Sequence, residues 1–188
     1  FGDYNLNSYF FNLCVFSSSL IFSILAYYLM ERKLNNWRIN LIKICFIIGQ
    51  RKTKQCGISD YVELISQEFE KLGHDIEQYS IQKDRVDLYD LPEADLYSIQ
   101  FASYAFACNG LPNQTLKCLA QKLKKKKVHL NFHEIWVGAY PRANWKERGI
   151  GWIQKYLILG FIKKCKPAWI TSSNAAALDR LKQAGVPA

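Results

Sequence analysis

The sequence predicts an α/β domain, a Rossmann-like and mostly parallel sheet with helices on both faces, preceded by an apolar N-terminal helix. Three observations predict it. Short β-branched or alternating apolar runs take turns with stripes at helical spacing. Glycine, proline and capping residues punctuate the boundaries between them. One run, Val128 to Phe132, alternates apolar and polar residues as a strand does and then breaks at His133-Glu134. That puts two titratable groups at a strand's C-terminal end, where the loops of a parallel sheet open a ligand crevice.

Taken in order, residues 9–30 hold no charged side chain over the roughly 20 residues needed to cross a bilayer. Tyr9, Tyr27 and Tyr28 flank them, and Glu31, Arg32, Lys33, Arg38 and Lys43 follow. That bias puts the C-terminal side in the cytoplasm. Residues 1–35 are therefore expected to be a membrane anchor or a non-native extension, and residues 36–188 the α/β domain at the cytoplasmic face of the cell membrane. Residues 41–48 read as a first strand covered on both faces. A polar, basic loop at residues 49–57 leads to a helix expected to start in a capping-box-like Asp60/Glu63 pair and to end at Gly73. Strand, basic glycine loop and helix together aim backbone N–H groups at the crevice, which favours an anion.

Residues 75–81 and 95–101 read as the next strands, followed by a loop with Tyr104, Phe106, Asn109 and Gly110. Pro112-Asn113 starts a helix. After the 128–132 strand and a loop rich in Arg142, Trp145, Lys146 and Arg148, residues 150–164 form a helix apolar on nearly every side, expected to be largely buried. A strand at 168–171 follows. Ser173 or Asn174 then caps a last helix that Gly185 terminates. Lysines 122 and 124–127 fit a solvated helix end whose cations offset the macrodipole.

Bulk properties narrow the function. The 188 residues, with 49% hydrophobic and 14% aromatic content, suffice for one main core and argue against disorder. The net charge is +9; setting aside Asp3, the one charged residue among the first 30, leaves +10 on residues 31–188. Such a surface suits polyanions. Six cysteines show no C-x-x-C pair and no zinc spacing, so neither a metal knuckle nor a redox motif is expected. The chain does not begin with Met and stops at residue 188 just after a helix, where a further strand is expected, so it reads as a fragment. No G-x-G-x-x-G or P-loop spacing occurs. Basic residues scattered over several loops, without a known motif, argue against nucleic acid as partner.

These pieces in this order resemble the N-terminal, acceptor-side half of family 4 glycosyltransferases of the GT-B fold. Cys56-Gly57-Ile58-Ser59-Asp60-Tyr61, with Phe69-Glu70-Lys71-Leu72-Gly73-His74, is similar to that family's glycine loop, first helix and helix end. Gln100 to Phe106 and Gly110-Leu111-Pro112 resemble its third-strand loop. Phe132-His133-Glu134-Ile135-Trp136 resembles its strand-end F-H-E-x-W, and Ile170-Thr171-Ser172-Ser173 the strand before its last N-domain helix. Cys56-Gly57 stands where many relatives carry two glycines.

The resemblance implies a retaining hexosyltransferase that moves a sugar from a nucleotide-sugar donor to a glycan or lipid-linked acceptor, with no bound metal or other cofactor. It implies His133 as the catalytic-site residue beside the transferring sugar, Gly57 near the diphosphate, and Glu134 and Tyr104 as further substrate-binding residues. The donor-binding half lies outside this sequence, so the chain alone is expected to be inactive. The competing expectation is a non-catalytic, membrane-tethered α/β module that binds an anionic partner.

Overall fold

A computed structural model describes residues 41–50, 57–83, 88–140 and 142–187. The expected membrane anchor and the basic loop at 51–56 lie outside the described residues. Among the described residues no helix is long and apolar enough to cross a membrane.

Among the described residues ten elements follow one another, strands and helices largely in turn, as expected of an α/β domain. They are β1 (Lys43–Gly49), α1 (Gly57–Lys71), β2 (Asp75–Ile81), β3 (Leu96–Phe101), the one-turn α2 (Ser103–Phe106), α3 (Asn113–Lys122), β4 (Lys127–Phe132), α4 (Trp145–Cys165), β5 (Trp169–Ser172) and α5 (Ala175–Gln183). The five strands form one sheet in the order β2-β1-β3-β4-β5, and every neighbouring pair is parallel. In this order the chain first steps from β1 to β2 and then returns past β1 to β3. The switch point, where such sheets bind ligands, is therefore at the C-terminal ends of β1 and β3.

Strand pairing in register puts alternate residues of all five strands on common faces. One face carries Cys45, Ile47, Tyr97, Ile99, Phe101, Val128, Leu130 and Phe132, and packs with Leu116, Leu119 and Leu123 of α3 and Ile158 and Phe161 of α4 into the main core. On the other face α1 lays Val62, Ile65 and Phe69 beside Ile44, Phe46 and Ile48, all buried, and Gln78 of β2 donates to Ser66 of α1 at 3.5 Å. Helices thus cover both faces.

Local chemistry sets the ends of these elements, and in three places it departs from expectation. α1 begins at Gly57 rather than at Asp60, which sits inside the first turn. There its carboxylate faces the positive end of the helix dipole instead of capping it. The helix ends as expected, with Gly73 at φ +89°. The buried His74 behind it accepts from the amide of Ile42 through Nδ1 at 3.4 Å, fastening the end of α1 to the start of β1. α2 falls in what reads as a loop.

α4 departs most. It starts five residues earlier than its apolar run, because the side chain of Asn144 accepts from the amide of Glu147 at 2.9 Å while the Glu147 carboxylate accepts from the amide of Asn144, also at 2.9 Å. That reciprocal pair satisfies two otherwise orphaned donors. Nor is α4 largely buried: Gly151, Gln154, Ile158, Phe161 and Cys165 face inward, while Trp145, Trp152, Ile153 and Tyr156 are exposed. A helix lying on a sheet buries one stripe, and among the described residues no element covers the other.

Candidate functional site

The face of the sheet that carries α1 changes character along its width. Under α1, on β1, it is apolar, but on β3, β4 and β5 the same register positions carry Ser98, Gln100, His129, Asn131 and Thr171. Ser98, Gln100, His129 and Asn131 are all buried, so each polar atom needs a partner. They find them in one another.

The side-chain distances close a ring. Gln100 Nε2 donates to Ser98 Oγ at 2.8 Å, and Ser98 Oγ lies 2.9 Å from His129 Nδ1. His129 Nε2 lies 2.8 Å from Thr171 Oγ1, which donates to Asn131 Oδ1 at 2.9 Å. Asn131 Nδ2 donates back to Gln100 Oε1 at 2.9 Å. The proton positions follow from the donors available. Because Thr171 spends its hydroxyl proton on Asn131, His129 must donate to it through Nε2–H. A neutral His129 then accepts at Nδ1 from the Ser98 hydroxyl. Five hydrogen bonds run head to tail without a mismatch, and burial lowers the His129 pKa to about 4, which keeps that imidazole neutral.

His133 hangs from this ring at the crevice end. Its Nε2 is 2.8 Å from Gln100 Oε1 and 3.3 Å from Asn131 Nδ2. The shorter contact meets a carbonyl oxygen, so Nε2 carries the proton and donates. Its backbone amide donates to the carbonyl of Phe101 at 3.0 Å, holding the residue against the end of β3. The ring of Tyr61, one turn into α1, meets the His133 imidazole edge-on with centroids 5.2 Å apart. Burial lowers the His133 pKa to about 4 and raises that of Tyr61, so both are neutral near pH 7. With Nε2 turned inward, Nδ1 is left as an acceptor with no partner among the described residues.

The other expected site residues occupy the same strand ends with different roles. Gly57 opens α1 one turn before Tyr61, and a Cβ added there meets nothing within 4 Å among the described residues, so their packing does not require a glycine. Close approach is required instead at Gly49, where an added Cβ would collide with the backbone carbonyl of Ala105. Glu134 is exposed, and its amide reaches the Phe101 carbonyl at 3.5 Å. Tyr104, 37% exposed in α2, lies against Gly110, whose φ of +71° and lack of a side chain make room for the phenol ring.

One positioning residue, Gln154 of α4, is not evident from the sequence. Fully buried, it accepts from the amide of Val137 at 2.8 Å and donates to the carbonyl of Gly110 at 2.8 Å. It thereby ties the loop after β3 to the loop after β4 from beneath. A glutamine in an apolar helix pattern is the only sequence signal it leaves. The ring left a clearer one: polar residues share the same strand parity at 98, 100, 129 and 131.

Among the described residues no group of three or more His, Cys, Asp or Glu side chains is arranged to hold a metal ion. Cys45 and Cys165 are buried, with thiol pKa values pushed up by burial to about 12 and about 11, so they serve as packing rather than as nucleophiles. What the strand ends offer is a neutral, pre-oriented imidazole flanked by the Tyr61 ring, suited to hydrogen-bonding hydroxyl groups. Comparison with protein-family models, curated proteins and solved structures finds no match to this chain.

Proposed function

We propose that this chain is the acceptor-side lobe of a retaining sugar transferase that uses a nucleotide-sugar donor and works on a glycan or lipid-linked acceptor at the cytoplasmic face of a membrane. The observation that carries this reading is the seating of His133: a neutral imidazole at the end of β4, next to the switch point, its Nε2 held by Gln100. A transferring sugar presents hydroxyl groups, and an imidazole that keeps one acceptor nitrogen toward the crevice at every pH above about 4 can orient one of them. It would do so without adding charge. Tyr104, Glu134 and the first turn of α1 at Gly57 then line the acceptor and diphosphate ends of the same crevice.

The developing negative charge on a departing diphosphate needs preorganised dipoles and cations. The start of α1 supplies part of that set, and a second, donor-binding lobe would complete it. The test is transfer by the full-length protein from a panel of nucleotide-sugars. His133→Ala should cut turnover by about 100-fold, the scale of losing one positioned hydrogen-bonding group, while the fold stays intact. Turnover near wild type in that variant removes His133 from the mechanism.

The competing module, a non-catalytic binder of an anionic partner, draws on the excess of basic residues. It differs in one respect: His133→Ala would leave its binding unchanged, because a neutral imidazole contributes nothing to attracting an anion.

A further inference from the structure

α4 carries two opposed stripes, and only one of them has a partner. At 3.6 residues per turn, Trp152, Tyr156 and Lys163 all return to within about 20° of the direction in which Trp145 points. The buried stripe through Gln154, Ile158 and Phe161 lies on the opposite side. The outer aromatics are not marginally exposed: Trp145 is 78%, Trp152 71% and Tyr156 72% accessible. Trp152 and Tyr156 stack at 6.5 Å between centroids, and Ile153 extends the patch. Three large aromatics on one solvent-facing line of a helix mark an interaction surface.

Charge says what kind. Residues 145–166 hold Lys146, Arg148, Lys155, Lys163, Lys164 and Lys166 against a single acid, Glu147, and that carboxylate is engaged in the helix cap. Lys146 reaches over the Trp145 ring at 5.5 Å and Lys155 over Trp136 at 5.3 Å. Tryptophan and tyrosine bodies rimmed by long cationic side chains match the boundary between headgroups and acyl chains, where amphipathic rings and snorkelling lysines both find their preferred surroundings.

We infer that the outer face of α4 is a docking surface for an anionic phospholipid bilayer, with Trp145, Trp152 and Tyr156 entering the interface and Lys146, Lys163 and Lys164 contacting phosphate. Trp145 opens the helix that follows the loop after His133, so lipid contact there holds the crevice close to the bilayer surface. The inference rests on the membrane placement in the proposed function and names the surface that makes the contact, while the transfer chemistry at His133 is tested separately by His133→Ala.

Vesicles of phosphatidylglycerol with brominated acyl chains test it, because bromine quenches only tryptophans that enter the interface. The whole 188-residue chain is compared with its Trp145→Phe/Trp152→Phe variant, whose exposed, conservative changes leave the fold alone. Residues 9–30 are common to both, so the difference reports α4. The double variant should lose about half or more of the bromine quenching. That difference should vanish on neutral phosphatidylcholine vesicles and shrink in Lys163→Glu/Lys164→Glu. Equal quenching in both chains, or Trp145 and Trp152 remaining as open to aqueous acrylamide with vesicles as without, overturns the inference. So does lipid-independent shielding of the two tryptophans by self-association, which would make the face a protein contact.

Discussion

The two faces of β3 and β4 are equally buried and chemically opposite. Tyr97, Ile99, Phe101, Val128, Leu130 and Phe132 point one way into an apolar core. Ser98, Gln100, His129 and Asn131 point the other way into a hydrogen-bonded ring. Burial of the first face is itself favourable. Burial of the second is tolerated only because each of its buried polar atoms has a hydrogen-bond partner, and a satisfied buried network contributes orientation more than net stability. What the contrast teaches is a division of labour across one sheet: one side holds the fold, and the other holds His133.

The largest difference should appear on truncation. Phe132→Ala removes a side chain only 1% exposed that packs edge-on against Phe101, and should cost about 3–5 kcal/mol in denaturant unfolding. A much smaller loss would mean that the apolar face is loosely packed.

Of these two faces acid should act on the ring side, with the buried His74 at the end of α1 shifted in the same direction by its own desolvation. In the folded protein His129 is held neutral, with its pKa lowered from the ordinary 6.5 to about 4. The unfolded chain therefore binds the extra proton first. The stability associated with neutral His129 is complete above about pH 6.5 and is lost as pH falls toward 4, by roughly 3 kcal/mol at the lower end. His133 shifts in the same direction. A stability curve flat from pH 7 to 4 would show that neither imidazole is desolvated.

Opening the ring without changing its charge should cost less. Asn131→Leu keeps the branched shape but strands the Thr171 hydroxyl and leaves Gln100 Oε1 to His133 alone. About 1–3 kcal/mol should be lost on unfolding, and the His133 imidazole resonances should broaden or shift. If His133 is unmoved in that variant, the ring does not position it.

Much of this was legible in the sequence, because the signals are local. The alternation at 128–132, the glycine at 73 and the cap expected at Ser173 or Asn174, which falls to Asn174, predict elements that the fold contains, and the strand-end position of His133 follows from the break after Phe132. The shared parity of polar residues at 98, 100, 129 and 131 is visible in the sequence, but their closure into a ring is not, because its members come from three strands and become neighbours only through the parallel register. α4 misled for a related reason. Its apolar residues encircle the helix, and periodicity alone cannot tell a stripe that meets the sheet from one that meets something else. Gly57 and Gly49 make the same point: both are glycines near the start of the domain, yet only Gly49 touches backbone.

Nitrogen chemical shifts of the histidine side chains, followed from pH 7.5 to 4, test the central claim most directly. The ring requires His129 and His133 both to be neutral Nε2–H tautomers, and to titrate only near pH 4. An Nδ1–H tautomer at either residue, or a midpoint close to 6.5 for His133, would contradict the geometry on which the proposed role of that imidazole rests.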